Sequence, residues 1–296
     1  MNTFPFKKIN AFTKGLSAGN PCACLYLNGV NDISDQEMQI IAKELRGFVN
    51  EVVYLFPEEK HFFLKYYSAE CEVDFCGHGT IGIMYDLIGS REDLLNRGIV
   101  KIRVKDAYLN VYNNIKESDS IFITAPPPVC TELKLKKEVI AQALNIGVDD
   151  INKNFKLDMI NAGLNTLIVP IKNLKSCLAI LPSQFELKDF CLENGIDIIL
   201  VFTNDVTDKK NEFRTRVFAP KFGYLEDPAT GSGNSAFGNY LLQNNLWDGA
   251  LLSIEQNASY KYPNIVKLDT VLNKEKKDVI FGGAAVVKIQ GIYKLT

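Results

Sequence analysis

Two helices that each begin in a glycine-rich loop constrain this chain more than any other feature. The first runs from Cys76-Gly77-His78-Gly79-Thr80 to Ile88, and the second from Thr230-Gly231-Ser232-Gly233 to Leu242. At a constant offset Gly77 matches Gly231, Gly79 matches Gly233, Leu87 matches Leu241 and Ile88 matches Leu242. The approaches also rhyme: Lys65-Tyr66-Tyr67-Ser68-Ala69 precedes the first helix, and Arg216-Val217-Phe218-Ala219-Pro220 precedes the second. Each copy reads as strand, acidic loop, glycine-rich turn and helix. This is an internal repeat and predicts two similar halves of pseudo-twofold architecture.

A helix start leaves backbone N–H groups unpaired and carries partial positive charge, and glycine lets an anion come close to them. The bland reading is that the glycines only make tight turns and let helices pack. Two such loops in matching contexts favour an anion cradle. Gly231-Ser232-Gly233 lacks the third glycine at the dinucleotide spacing, and neither loop carries Gly-Lys-Ser/Thr, so a small organic anion is expected rather than a nucleotide.

Ala125-Pro126-Pro127-Pro128 can continue neither strand nor helix, and the domain boundary is placed there. Before it, strands are expected at residues 6–12, 22–27, 52–56, 61–67, 98–104, 108–113 and 120–124. After it, a helix is expected over 136–144 and strands at 165–171, 196–203, 212–218, 279–281, 285–289 and 291–295. The fold class is α+β.

With 33 basic against 35 acidic residues the net charge is −2, so nothing points to nucleic acid. The seven cysteines are odd in number and irregularly spaced, which suits free thiols in a reducing compartment. Cys22-x-Cys24 has the wrong spacing for a zinc clip and His61 and His78 are the only histidines, so no metal is expected. No signal peptide and no membrane span are read, and the location is expected to be cytoplasmic. A homodimer is compatible with the sequence, which shows no interface.

Four side chains near the loops could move protons. His78 is of the one residue type whose unperturbed side chain exchanges protons near neutrality, with a turn or cap histidine as its structural alternative. Asp227 precedes Pro228 and the second loop, where it could cap the helix or orient a ligand amine. Glu51 enters the apolar run Val52–Leu55, where burial would raise its pKa toward that of a useful base; a solvent-facing place on an amphipathic strand is the alternative. Cys76 starts a helix, a setting that lowers a thiol pKa, and as a small residue it also suits burial.

Together these motifs resemble the PhzF-like family, named for phenazine biosynthesis, within the diaminopimelate-epimerase-like fold. The matching stretches are Gly19-Asn20-Pro21, Asn50-Glu51, Cys76-Gly77-His78-Gly79-Thr80, Phe218-Ala219-Pro220, Glu226-Asp227-Pro228-Ala229-Thr230-Gly231-Ser232-Gly233 and Gly282-Gly283-Ala284. The resemblance implies two domains, residues 1–125 plus about 282–296 and residues 126–281. Each would be a curved, mostly antiparallel sheet around a central helix, with the active site in the cleft between them. It also implies cofactor-independent isomerisation of a small carboxylate-bearing substrate by proton transfer. Glu51 would be the general base and acid, and His78 and Asp227 would assist. Asn20, Cys76, Gly77, Gly79, Thr80, Thr230, Gly231, Ser232 and Gly233 would bind the substrate. The first loop also resembles that of proline racemases, which use two facing cysteines; here the second position is Thr230, which leaves a Cys76-assisted racemase or epimerase as an alternative. A non-catalytic carboxylate-binding protein and a scaffold module are the readings outside enzymology.

Overall fold

The computed structural model of the chain describes residues 2–105 and 107–295. Its contacts form two compact units: Met1–Thr13, Ala18–Thr124 and Gly282–Thr296 make the first, and Lys14–Ser17 with Ala125–Phe281 make the second. The strands in chain order are β1 (Asn2–Ala11), β2 (Asn20–Tyr26), β3 (Glu51–Pro57), β4 (Phe62–Ser68), β5 (Glu72–Val73), β6 (Ile99–Val104), β7 (Ala107–Asn114) and β8 (Ser120–Thr124). There follow β9 (Val129–Thr131), β10 (Asp158–Asn161), β11 (Asn165–Pro170), β12 (Ile198–Thr203), β13 (Phe213–Phe218), β14 (Glu226–Asp227), β15 (Leu252–Gln256), β16 (Asn264–Asn273), β17 (Lys276–Gly283) and β18 (Ala285–Leu295). The helices used below are α1 (Asp35–Glu44), α2 (Gly77–Ser90), α3 (Leu174–Ala179) and α4 (Gly231–Gln243).

In the first unit β1 pairs antiparallel with β18 and β2, and β2 runs parallel to β3. Strand β4 lies antiparallel to β3 and β5 and parallel to β6, and β6, β7 and β8 form a meander. The second unit repeats the series. Strands β10 and β11 are antiparallel, β11 and β12 parallel, β12 and β13 antiparallel. Strand β13 is antiparallel to β14 and parallel to β15, and β15 is antiparallel to β16.

The register carries the repeat to single residues. Tyr66 faces Val73 and Tyr67 faces Glu72; in the other unit Val217 faces Asp227 and Phe218 faces Glu226. Lys65 and Arg216, which the same step aligns, each reach the acid of the following short strand, at 3.6 Å from Glu72 and 2.8 Å from Glu226. Arg216 also donates to the carbonyls of Cys177, Leu178 and Ile180 at the end of α3, so it ties β14 to that helix.

Each sheet wraps one helix. Helix α2 packs on β1, β2, β3, β8 and β18 of its unit, and α4 on β10, β11, β12 and β16. Both are buried nearly all round, as central helices must be. Ile81, Ile83, Met84, Leu87 and Ile88 of α2 each contribute roughly 1.5–3 kcal/mol by leaving water. Packing therefore outweighs the poor helix propensity of the glycines. Those glycines are needed for close approach: a Cβ on Gly82 would lie 2.9 Å from Cys22 Sγ, and one on Gly238 would lie 2.9 Å from Leu268 Cδ1.

Several elements differ from the sequence reading, which had no strand at β9, β10, β15 or β16 and no helix at α3. Helix α1 was not expected, although Ser34 and Glu37 close a capping box at its start; its core contribution is only Met38, Ile41 and Ala42, too short an apolar stripe to stand out. The last strand continues through Gly291 as one element, because its ladder to β1 runs unbroken there. All seven cysteines are free. Among the described residues no helix is long and apolar enough to cross a membrane.

Gly282 opens the return of the chain into β18. A Cβ there would sit 2.8 Å from both the Ile121 carbonyl carbon and Phe122 Cδ1, and a backbone neighbour cannot rotate away. Gly282→Ala is expected to cost about 1–3 kcal/mol, read as a lower urea midpoint at unchanged m-value. An unchanged midpoint would show that the strand absorbs the methyl.

Candidate active site

Glu51 is the first residue of β3, followed by the buried run Val52–Phe56. The two registers identify its counterpart. Val52 faces Tyr67 and Ile199 faces Phe218, so Glu51 stands where the second unit has Ile198. That isoleucine is 1% exposed. The sheet therefore accepts an apolar side chain at this place, and nothing in the fold asks for a carboxylate. The Glu51 side chain is only 21% exposed, and its Oε2 has no aligned hydrogen-bond partner. Burial pushes its carboxyl up to about 7.

Helix α2 delivers the next two groups. A Cβ on Gly79 would meet Val53 Cγ2 at 2.6 Å; without one, the helix start rests against β3. His78 Nε2 then lies 3.3 Å from Glu51 Oε2, an approach without hydrogen-bond alignment, which is why burial alone governs the carboxyl. Cys76 caps the helix, its Sγ accepting the Gly79 N–H at 3.4 Å, and the thiol lies 3.5 Å from His78 Nδ1. The donor atoms of Glu51, Cys76 and His78 lie within 4.8 Å of one another. A carboxyl, a thiol and an imidazole are donor kinds that metals accept, and they are also groups able to carry protons near neutral pH.

Thr80 is fully buried. Its hydroxyl donates to the Cys76 carbonyl at 2.7 Å and accepts from Tyr66 at 2.7 Å, so it holds the loop and offers no group outward. Asn20, 1% exposed, begins β2 opposite Ala11. The preceding Gly19 has φ +69° and no room for a Cβ beside Thr13 and the Ala11 carbonyl, which explains glycine in that motif.

In the second unit Asp227 ends β14 and is 8% exposed. It accepts a short hydrogen bond from the hydroxyl of Thr230, the N-cap of α4. Through the register Asp227 corresponds to Val73, and by the loop alignment Thr230 corresponds to Cys76 and Ser232 to His78. Glu51 and Asp227, one in each copy, thus replace an apolar residue of the other copy. Gly231 and Gly233 begin α4 tightly packed: a Cβ on the first would run into the Phe281 ring, and one on the second would lie 3.2 Å from Ile198 Cδ1.

Sequence reasoning missed the polar residues behind this loop. Asn234, Gln256 and Asn264 are 0% exposed, and Asn264 Nδ2 donates to the Pro228 carbonyl at 2.7 Å. The signal was the run Glu255-Gln256 in an apolar strand, which does not reveal what lies opposite. A groove of about 370 Å³ opens elsewhere in the first unit, lined by residues such as Phe4, Tyr26 and Asp32. None of Glu51, Cys76, His78, Asp227 and Thr230 lines it.

Known proteins share the sequence pattern and the fold of this chain. Residues 9–291 match the family described as phenazine biosynthesis-like protein, PhzC-PhzF. A protein of Clostridium acetobutylicum named an uncharacterized isomerase is 28% identical, covering 95% of this chain and 94% of its own. The antisense-enhancing sequence 1 protein of Schizosaccharomyces pombe is 26% identical over 98% of this chain and 99% of its own. The PhzF-family protein of Bacillus anthracis superposes with a TM-score of 0.86 at 24% identity, covering 100% of both chains. A hydroxyproline epimerase of Agrobacterium vitis, solved with trans-4-hydroxy-L-proline, shares the fold with a TM-score of 0.61 at 11% identity, covering 100% of this chain and 91% of its own.

Proposed function

The chain belongs to the phenazine biosynthesis-like family, and on that footing we propose that it is a cofactor-independent isomerase that moves a proton on a small carboxylate-bearing substrate. The observation that carries this is Glu51: a buried carboxyl at about 7, without an aligned hydrogen bond, where the repeat has isoleucine. A general base works best with a pKa near the working pH. Ionised Glu51 takes a proton from an acidified C–H, the electron pair passes into the substrate, and the protonated carboxyl returns the proton at another carbon. His78, 3.3 Å away, assists that transfer. The names of the relatives as isomerases support the same class.

The substrate carboxylate is assigned to the backbone N–H groups of Gly77 and Gly79 at the start of α2, because helix starts favour anions; Gly231, Ser232 and Gly233 at the start of α4 offer donors of the same kind. The Gly79 amide is held by the Cys76 sulfur, a weak acceptor that a carboxylate would displace. Asp227 is assigned to a substrate amine, with Asn20 and Thr230 completing the binding set.

The test is solvent exchange. The protein is incubated in heavy water with a panel of small amino and aromatic carboxylates, and each is recovered for mass analysis. Deuterium uptake that requires the protein supports the reading; no uptake and no isomer across the panel sinks it. The short approach of Cys76 to His78 favours a second reading in which the thiol carries the proton. Cys76→Ala separates the two: exchange survives if Glu51 is the base and disappears if the thiol is.

A further inference from the structure

We propose that Gln256 is a positioning residue for this reaction, fixing the direction of the Thr230 hydroxyl proton and thereby the presentation of the Asp227 carboxylate. The functional half of this inference rests on the isomerase reading.

Backbone groups settle the orientation of the carboxamide. The Thr230 N–H can only donate and the Asp227 carbonyl can only accept. Gln256 Oε1 therefore faces the Thr230 nitrogen at 3.0 Å, and Nε2 faces the Asp227 carbonyl at 3.0 Å. Asn234 is pinned in the same way: its Nδ2 donates to the Thr230 carbonyl at 2.8 Å and to Gln256 Oε1 at 2.6 Å. The second hydrogen of Gln256 Nε2 then points at Thr230 Oγ1, 3.1 Å away. Both donors and both acceptor sites of the amide are used.

Thr230 has one hydroxyl proton. Since its oxygen accepts from Gln256, that proton goes to Asp227 Oδ2. Donation runs one way, from Gln256 to Thr230 to Asp227, and every member is at least nine-tenths buried. The same arrangement diverts Thr230 from capping its own helix, whereas the matching Cys76 does cap α2. A threonine at an N-cap usually spends its hydroxyl on the first-turn amides; here Gln256 commits it to Asp227. The asymmetry matches the division of labour between the copies, since only the second has an acid at this position of the short strand's register.

The test uses Gln256→Met, Gln256→Glu, Thr230→Val and the double variant Gln256→Met/Thr230→Val. Kinetics of solvent-deuterium exchange are measured on the carboxylate found active with the wild-type protein. A misplaced group costs about 100-fold in rate, so each single variant is expected to lose about that factor in kcat, with a smaller change in KM. The double variant is expected to be no worse than either single, because the two residues act through one chain. Gln256→Glu conserves volume and as a carboxylate cannot donate, so it is assayed at a pH where it is ionised, and it guards against loss of fold in Gln256→Met. Wild-type kcat in folded Gln256→Glu or Gln256→Met, or additive losses in the double variant, would overturn the proposal. If the wild-type protein exchanges no carboxylate, the isomerase reading fails and the hydrogen-bond chain is judged separately by amide exchange. Loss of Thr230 N–H protection in Gln256→Met upholds the chain; retained protection overturns it.

Discussion

Glu51→Gln is expected to remove solvent-deuterium exchange by a factor of about 10²–10⁴, the usual share of a general base, and at the same time to stabilise the protein above neutral pH. The two effects have one cause. The folded state holds the Glu51 carboxyl at about 7, against 4.5 for the ordinary group, because burial penalises the charge. A raised carboxyl binds its proton more tightly in the folded than in the unfolded chain. Its contribution is therefore fully present below pH 4.5 and is lost as pH rises through about 7. At about 1.4 kcal/mol per pH unit the loss reaches about 3 kcal/mol by pH 8. The amide carries no charge and escapes it. Urea midpoints of variant and wild type should nearly coincide at pH 4 and separate at pH 8, with the variant more stable. Exchange by the wild type should rise with pH around a midpoint near 7, as the base ionises. Equal midpoints at pH 8 would mean that Glu51 is solvated in the folded protein, and the general-base assignment would lose its physical ground.

Arg214→Met is expected to destabilise the second unit by about 3–5 kcal/mol, the cost of leaving a buried charge without its partner. Arg214 and Glu255 are both 0% exposed and meet at 2.9 Å. Burial works to raise the Glu255 carboxyl. The Asp208 and Thr207 amides, the Asn211 side chain and Arg214 outweigh it and leave the group below its ordinary range. Arg214 spends its other donors on the Asn257 and Ser259 carbonyls. A depressed carboxyl stabilises above the ordinary carboxyl range and stops doing so as pH falls through it, so the wild type should weaken on acidification. Without Arg214 this support for the carboxylate is reduced, and the variant's deficit should shrink at low pH. Adding Glu255→Gln to Arg214→Met should recover part of the loss, a coupling that a double-mutant cycle in urea measures. Independent, additive losses would show that the pair does not act as a unit.

Both predictions concern charges whose surroundings the sequence could not display. What the sequence determined was the repeat. Glycines at matching places, an apolar strand before each and a basic residue at the head of each approach are local features. A one-residue error in strand register would put each side chain on the wrong face, so Tyr66 with Val217 and Lys65 with Arg216 align in the structure as they do in the text. The triple proline at Pro126–Pro128 was legible for the same reason, since proline acts on its own residue and the one before. Helix α1 was harder to read because three buried residues give little periodicity.

Tertiary structure alone decided which polar residues meet. The sequence made Glu51 an even choice between core and solvent. Burial beside α2 chose the core, and comparison with Ile198 showed that the fold did not require an acid there. Thr80 and Thr230 both stood in the expected substrate-binding set. The folded loops gave one hydroxyl to the carbonyl of Cys76, four residues back, and the other to the side chain of Asp227, three residues back. Gln256 lies far along the chain from the loop it holds, and no spacing rule connects them. Periodicity and turn chemistry act between near neighbours and are written in the sequence. Hydrogen bonding and desolvation act between neighbours in space, and only the folded chain says who those are.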